Sequence, residues 1–178
     1  MKSNYQAALD HIFEWEGGFV DHPSDPGGAT NMGITIATLQ RWRSGRPVTK
    51  QDVKDLTRAE ASKIYLAYYW DAVRADELPS GLDMVMFDAA VNQGPGKAVR
   101  LLQEALGVTT DGLIGPKTLG AANDHDAAKT INEFCVLRAM HYTGLSTFPV
   151  FGHGWFRRLF SSHAFAVRLQ SKGTPHGQ

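Results

Sequence analysis

The chain of 178 residues holds a single cysteine, Cys135. One thiol excludes an intrachain disulfide and fits synthesis in a reducing compartment. Its neighbours Phe134, Val136 and Leu137 mark it as a core residue rather than a nucleophile. An excess of charge is also missing, since 18 Lys and Arg balance 18 Asp and Glu. Without a basic field, nothing in the composition would gather nucleic acid over long range. No apolar run is long enough to span a bilayer. The first residues, MKSNYQAALDHIFEWE, lack the apolar stretch of a secretory signal. There is no internal repeat, no heptad run and no Ser- or Pro-rich linker. The seven histidines form no metal-ligand spacing, so neither metal nor cofactor is expected. What remains is an ordinary globular profile, 43% hydrophobic and 20% charged, with length for one compact domain or two small ones.

Helical periodicity dominates, and the class is expected to be mainly α. Tyr5, Leu9, Ile12 and Phe13 recur at spacings of three and four and mark one buried face of a first helix, Ser3 to Glu16, with Ser3 as N-cap. Advancing about 100° per residue places Glu16 on that face and Glu14 nearly opposite, towards solvent. A carboxyl group that continues an apolar stripe is costly to bury unless it lines a cleft or has a partner. Desolvation there would raise its pKa, as a general acid working near neutral pH requires.

Directly after Glu16 the chain reads EGGFVDHPSDPGGATNMGIT. Gly17 and Gly18 break the helix, and Asp25-Pro26-Gly27-Gly28 has the composition of a tight turn. The loop returns through Thr30, Asn31 and Gly33 to a helix that Thr35 can cap. Two carboxyl groups and a hydroxyl are thereby brought back near one helix end. Glycoside hydrolysis uses such a set: one acid protonates the leaving oxygen, and a second polar group handles water or positive charge.

This stretch resembles the signature of glycoside hydrolase family 108, bacterial and phage N-acetylmuramidases, in which the Glu of E-G-G is the catalytic acid. The resemblance implies that role for Glu16. The order Glu-x8-Asp-x5-Thr of the wider phage lysozymes implies a catalytic part for Asp25 and then Thr30. The second gap here holds four residues, so Asn31 competes with Thr30 for that position. A lysozyme-like helical fold follows as an expectation, with a short loop or β-hairpin carrying the active site.

Further along, Thr49 opens a short turn, and Thr57 with Glu60 has the form of a capping box. The helix behind it carries Ile64, Tyr65, Tyr68, Tyr69 and Trp70. Such a stripe is usually core, yet Tyr69 or Trp70 would suit a sugar ring. Leu78-Pro79-Ser80 begins a helix that ends at Asn92-Gln93-Gly94. Asp88 within it is expected to pair with a basic residue, whereas Asn92 and Gln93 are candidates to line a substrate groove. From Gly96 the segment AVRLLQEALGVTTDGLIGPKTLGAA is similar to the L-Q-x-x-L-G…D-G-x-x-G-x-x-T motif of small helical peptidoglycan-binding modules. Two long helices, near Ala127–Tyr142 and Gly154–Leu169, complete the chain before a polar tail.

The organisation expected is a catalytic half at 1–93, a peptidoglycan-binding-like half at 94–172 packed on it as one unit, and a mobile tail at 173–178. The resemblance implies a muramidase that cleaves peptidoglycan glycan strands at the β-1,4 bond after N-acetylmuramic acid, and a monomer is expected. The alternatives are a lytic transglycosylase giving 1,6-anhydro products and a non-catalytic wall-binding protein. Asp25 on a Gly/Pro loop suits holding water, so an inverting displacement is expected. A wall enzyme made in the cytoplasm without a signal would need a holin-like pore or an export system.

Overall fold

The computed structural model describes residues 4–21 and 28–173. Helices dominate, and the one sheet among the described residues is a two-stranded hairpin, so the fold is mainly α. The chain divides into two compact units, one of Leu9–Tyr68 and one of Met1–Ala8 with Tyr69–Gln178.

The smaller unit takes its first element from α1 (Tyr5–Trp15), on which Leu9 and Ile12 are buried as the spacing predicts. The Ser3 cap and the Asp25 turn both lie outside the described residues. The chain returns as β1 (Thr30–Asn31) and β2 (Ile34–Thr35), an antiparallel pair. Val20 adds a bridge, exchanging both backbone hydrogen bonds with Thr30 at 2.8 Å. Three short helices follow: α2 (Ile36–Trp42), α3 (Lys50–Lys54) and α4 (Arg58–Tyr65). Each opens on the expected threonine, with the Oγ1 of Thr35, Thr49 and Thr57 accepting from the backbone three residues on. Thr49 completes a reciprocal box with Asp52. Glu60 instead turns its carboxylate to the Arg43 guanidinium, at 3.1 and 3.0 Å.

The larger unit is built on α5 (Leu82–Gln93), whose residues from Leu82 to Ala90 are all buried. A helix buried on every side must be wrapped by others. Here α6 (Pro95–Ala105), α8 (Ala127–Thr143) and α9 (Phe148–Gly173) pack on it, while α7 (Pro116–Asp124) rests on α8. The boundary at 93/94 that the change of sequence character suggests therefore falls between two helices in contact.

Two element boundaries differ from expectation. The central helix starts at Leu82 rather than near Leu78, because Gly81 turns at φ +88° and Asp83 accepts from the Gly81 and Met84 amides, each at 2.8 Å. A β-carbon on Gly81 would lie 2.5 Å from the Ala166 carbonyl oxygen, so this glycine lets α9 approach. The last helix starts at Phe148 and runs through Gly173. Gly152 therefore sits inside it, and the Phe148 ring occupies the space of its missing side chain.

Candidate active site

Helical phase sorts the two glutamates as expected, Glu14 within α1 and Glu16 directly after Trp15. Glu14 is 73% exposed, whereas Glu16 is half-buried. The Glu16 amide still donates to the Ile12 carbonyl at 3.1 Å, so its side chain leaves from the last turn of the helix. Immediately after it, the Gly17 carbonyl accepts from the Met32 amide at 3.0 Å, which ties the helix end to the hairpin tip.

That tip is strained. Met32 and Gly33 join β1 to β2 with φ +48° and +72°, the two-residue turn whose twist matches paired strands. Glycine or asparagine is the ordinary occupant, and a left-handed methionine costs on the order of 1–2 kcal/mol. Gly33 has no alternative. A β-carbon there would lie 2.5 Å from the Tyr65 hydroxyl and 2.6 Å from Oε2 of Glu16. The Glu16 carboxyl and the Tyr65 phenol therefore press on the same methyl-sized gap. Tyr65, 1% exposed, donates its hydroxyl proton to the Met32 carbonyl at 2.9 Å. Its ring meets Phe13 edge-on at 5.5 Å.

Gly17 and Gly18 follow directly on the end of α1, where the sequence breaks it, but neither has a positive φ, and a β-carbon at either would meet nothing within 4 Å. The tight glycine is Gly33, and neither its role nor that of Tyr65 was assigned from the sequence. The Met-Gly pair between two short β-prone segments was the available signal.

The hairpin carries the other expected residues of this unit. Thr30 is half-buried on β1, facing Thr35 across the ladder. Asn31 is 8% exposed, and its amide donates to the Val53 and Lys54 carbonyls at 3.0 and 3.1 Å, fastening the hairpin to α3. Asp25 lies outside the described residues.

Tyr69, Asn92 and Gln93 belong to the larger unit. Tyr69 is half-buried, while Trp70 is wholly buried with its indole N–H on Asp76 at 3.0 Å. Asn92 is exposed, and its Oδ1 accepts from the Tyr142 hydroxyl at 2.7 Å. Gln93 accepts from Arg138 Nε at 3.0 Å. Behind both amides, Asp88 lies fully buried between Arg138 and Arg158, each at 2.8 Å, the basic pairing that its place in the sequence suggested. Burial works against this charge, but the two guanidiniums outweigh it and hold the carboxyl below the usual range. Cys135 is core as expected, its thiol pushed up to about 12 by burial.

The second motif resolves into one polar clasp. Gln103 is 1% exposed; its Nε2 donates to Asp111 Oδ1, the Leu113 carbonyl and Thr118 Oγ1 at 2.7, 3.1 and 3.2 Å. Its Oε1 accepts from the Gly112 amide at 2.8 Å. The amide of Leu113 and then Gln103 hold Asp111 below its ordinary pKa. Gln, Asp-Gly and Thr of the motif are thus mutual partners, and they back a cavity of about 730 Å³ lined also by Val108, Leu113 and Pro116.

The family model described as glycosyl hydrolase 108 matches residues 9–94, and that of a predicted peptidoglycan domain matches 97–160. Among solved structures, that of Brucella abortus SagA is 46% identical and superposes with a TM-score of 0.88, covering 96% of this chain and 97% of that one. Comparison with curated proteins gives no match.

Proposed function

The chain belongs to the glycosyl hydrolase 108 family, and from that footing we propose that it is a muramidase, with Glu16 protonating the β-1,4 oxygen that joins N-acetylmuramic acid to N-acetylglucosamine. The coarser statement, a peptidoglycan hydrolase, rests on the family and on the peptidoglycan-type region that follows it. One observation carries the finer reading. Of two glutamates on one helix, only Glu16 is withdrawn from solvent, at the helix end and against a turn that admits nothing larger than glycine.

In this mechanism Glu16 gives its proton to the departing sugar oxygen. Asp25 holds the attacking water, with Thr30 assisting, and the anomeric centre inverts. Asn31 acts by keeping the hairpin against α3, since its amide hydrogens are taken by backbone carbonyls there. Asn92, exposed and bonded to Tyr142, and Tyr69 are carried as candidate glycan contacts of the larger unit in its own right. Gln93 contributes by fixing Arg138.

Purified protein incubated with peptidoglycan, followed by mass spectrometry of the fragments, tests the assignment. Reducing N-acetylmuramic ends are expected. Ends carrying a 1,6-anhydro ring would replace hydrolysis with transglycosylation, and reducing N-acetylglucosamine ends would contradict the bond. Net inversion at the new anomeric carbon, followed by NMR, is the expected stereochemical result.

A further inference from the structure

We propose that Tyr65 is a positioning residue for Glu16, acting through the Met32-Gly33 turn. The inference rests on the reading of Glu16 as the acid. Tyr65 contributes two things to the same point. Its hydroxyl proton is committed to the Met32 carbonyl at 2.9 Å, which holds a methionine in the left-handed conformation that chain sterics disfavour. Its oxygen and Glu16 Oε2 both close on the space that a side chain at Gly33 would fill, so the phenol and the turn together limit where the carboxyl can go. The Met32 amide is meanwhile fixed to the Gly17 carbonyl, one residue beyond Glu16. A closed path therefore runs from Glu16 through the helix end to Met32, on to Tyr65, and back across Gly33. Tyr65 itself is anchored by its burial, at 1% exposed. Every member belongs to the unit Leu9–Tyr68.

Removing the hydroxyl should leave the fold standing and loosen the turn. A general acid displaced by a fraction of an ångström loses rate at the chemical step rather than affinity for substrate. Tyr65→Phe is therefore expected to lower kcat by roughly tenfold to a hundredfold, with KM changed less than about twofold. Gly33→Ala, which drives a methyl group into the carboxyl, should lose at least as much. Phe13→Leu is the packing control. It removes the ring that touches Tyr65 and leaves the hydroxyl in place, so it should lower the melting temperature and keep kcat within about twofold, since no group at the reaction centre is altered.

The experiment is steady-state kinetics on a soluble peptidoglycan fragment for Tyr65→Phe, Gly33→Ala, Phe13→Leu and Glu16→Gln, each assayed well below its own melting temperature. The expected pattern is a kcat loss in Tyr65→Phe and Gly33→Ala, a larger loss in Glu16→Gln, and none in Phe13→Leu. A fully active Tyr65→Phe alongside an inactive Glu16→Gln would overturn the role of Tyr65 and leave the acid assignment intact. Equal kcat losses in Tyr65→Phe and Phe13→Leu would reduce Tyr65 to packing and overturn it as well. A fully active Glu16→Gln would overturn both.

Discussion

Asp88 and Glu16 are both helical carboxylates, and the chain treats them in opposite ways. Asp88 is wholly buried and receives a guanidinium on each oxygen, from Arg138 and Arg158. The cluster joins α5 to α8 and α9, and Tyr142 extends it to Asn92. Glu16 sits half-buried at a helix end, against a turn with two residues in left-handed conformation. A charge clamped by two arginines is poor at exchanging a proton, because both partners favour the ionised form. The Glu16 carboxyl instead stands against the Gly33 turn and the Tyr65 phenol. Strain of this kind persists where the surroundings enforce it and is concentrated at functional sites. Ion pairing serves the fold in one region, and positioning serves chemistry in the other.

The comparison breaks most visibly at Asp88. Asp88→Asn removes the carboxylate that both guanidiniums share, and should cost about 3–5 kcal/mol of stability, as the loss of one partner from a buried pair does. Urea denaturation measures it, and a loss below about 1 kcal/mol would mean that the cluster is solvated or dispensable. The same group gives the acid limb of stability its sign. Its carboxyl is held below the ordinary value of about 4, so the folded state gains from it above that value. That gain should disappear as pH falls through the lowered pKa. Asp83 opposes this, because burial raises its pKa; protonating it relieves a cost. Melts between pH 7 and 3 should show stability falling below about pH 4 in the parent chain. Asp88→Asn should lack that part of the slope.

A smaller effect is expected in the second motif. Gln103→Ala removes the centre of the clasp and strands Thr118 and the Gly112 amide, which should cost about 1–3 kcal/mol. Turnover of a soluble fragment should be unchanged, since no part of the clasp belongs to the unit that carries Glu16. Calorimetry and kinetics on one preparation check both halves of the statement. A loss of rate without a loss of stability would assign the clasp a part in the reaction.

Most of the helices were legible because their signals are local. Thr35, Thr49 and Thr57 cap where the sequence places them, and the phase of α1 separates Glu16 from Glu14 two residues away. Long-range closeness was not legible. Nothing in the sequence near Gly33 says that Tyr65, more than thirty residues on, needs the space of its side chain. Gly17 and Gly18 drew attention through their number, yet their φ angles are ordinary and their surroundings open. Nor does the sequence tell that the Phe148 ring fills the space beside Gly152. The motif around Gln103 was recognisable as a pattern, but its chemistry, four residues that satisfy one another, emerged only from geometry.

The central claim is that position along α1, not the presence of a carboxylate, makes the acid. Glu16→Gln and Glu14→Gln test it directly, because each removes one transferable proton at nearly constant volume. Measured together on peptidoglycan, Glu16→Gln should lose on the order of 10²-fold or more in rate, the weight of a positioned general acid. It should melt at or above the temperature of the parent chain. Glu14→Gln, 73% exposed in the parent, should keep its turnover and shift stability by no more than about 0.5 kcal/mol. Equal losses in the two variants, or an active Glu16→Gln, would contradict the assignment.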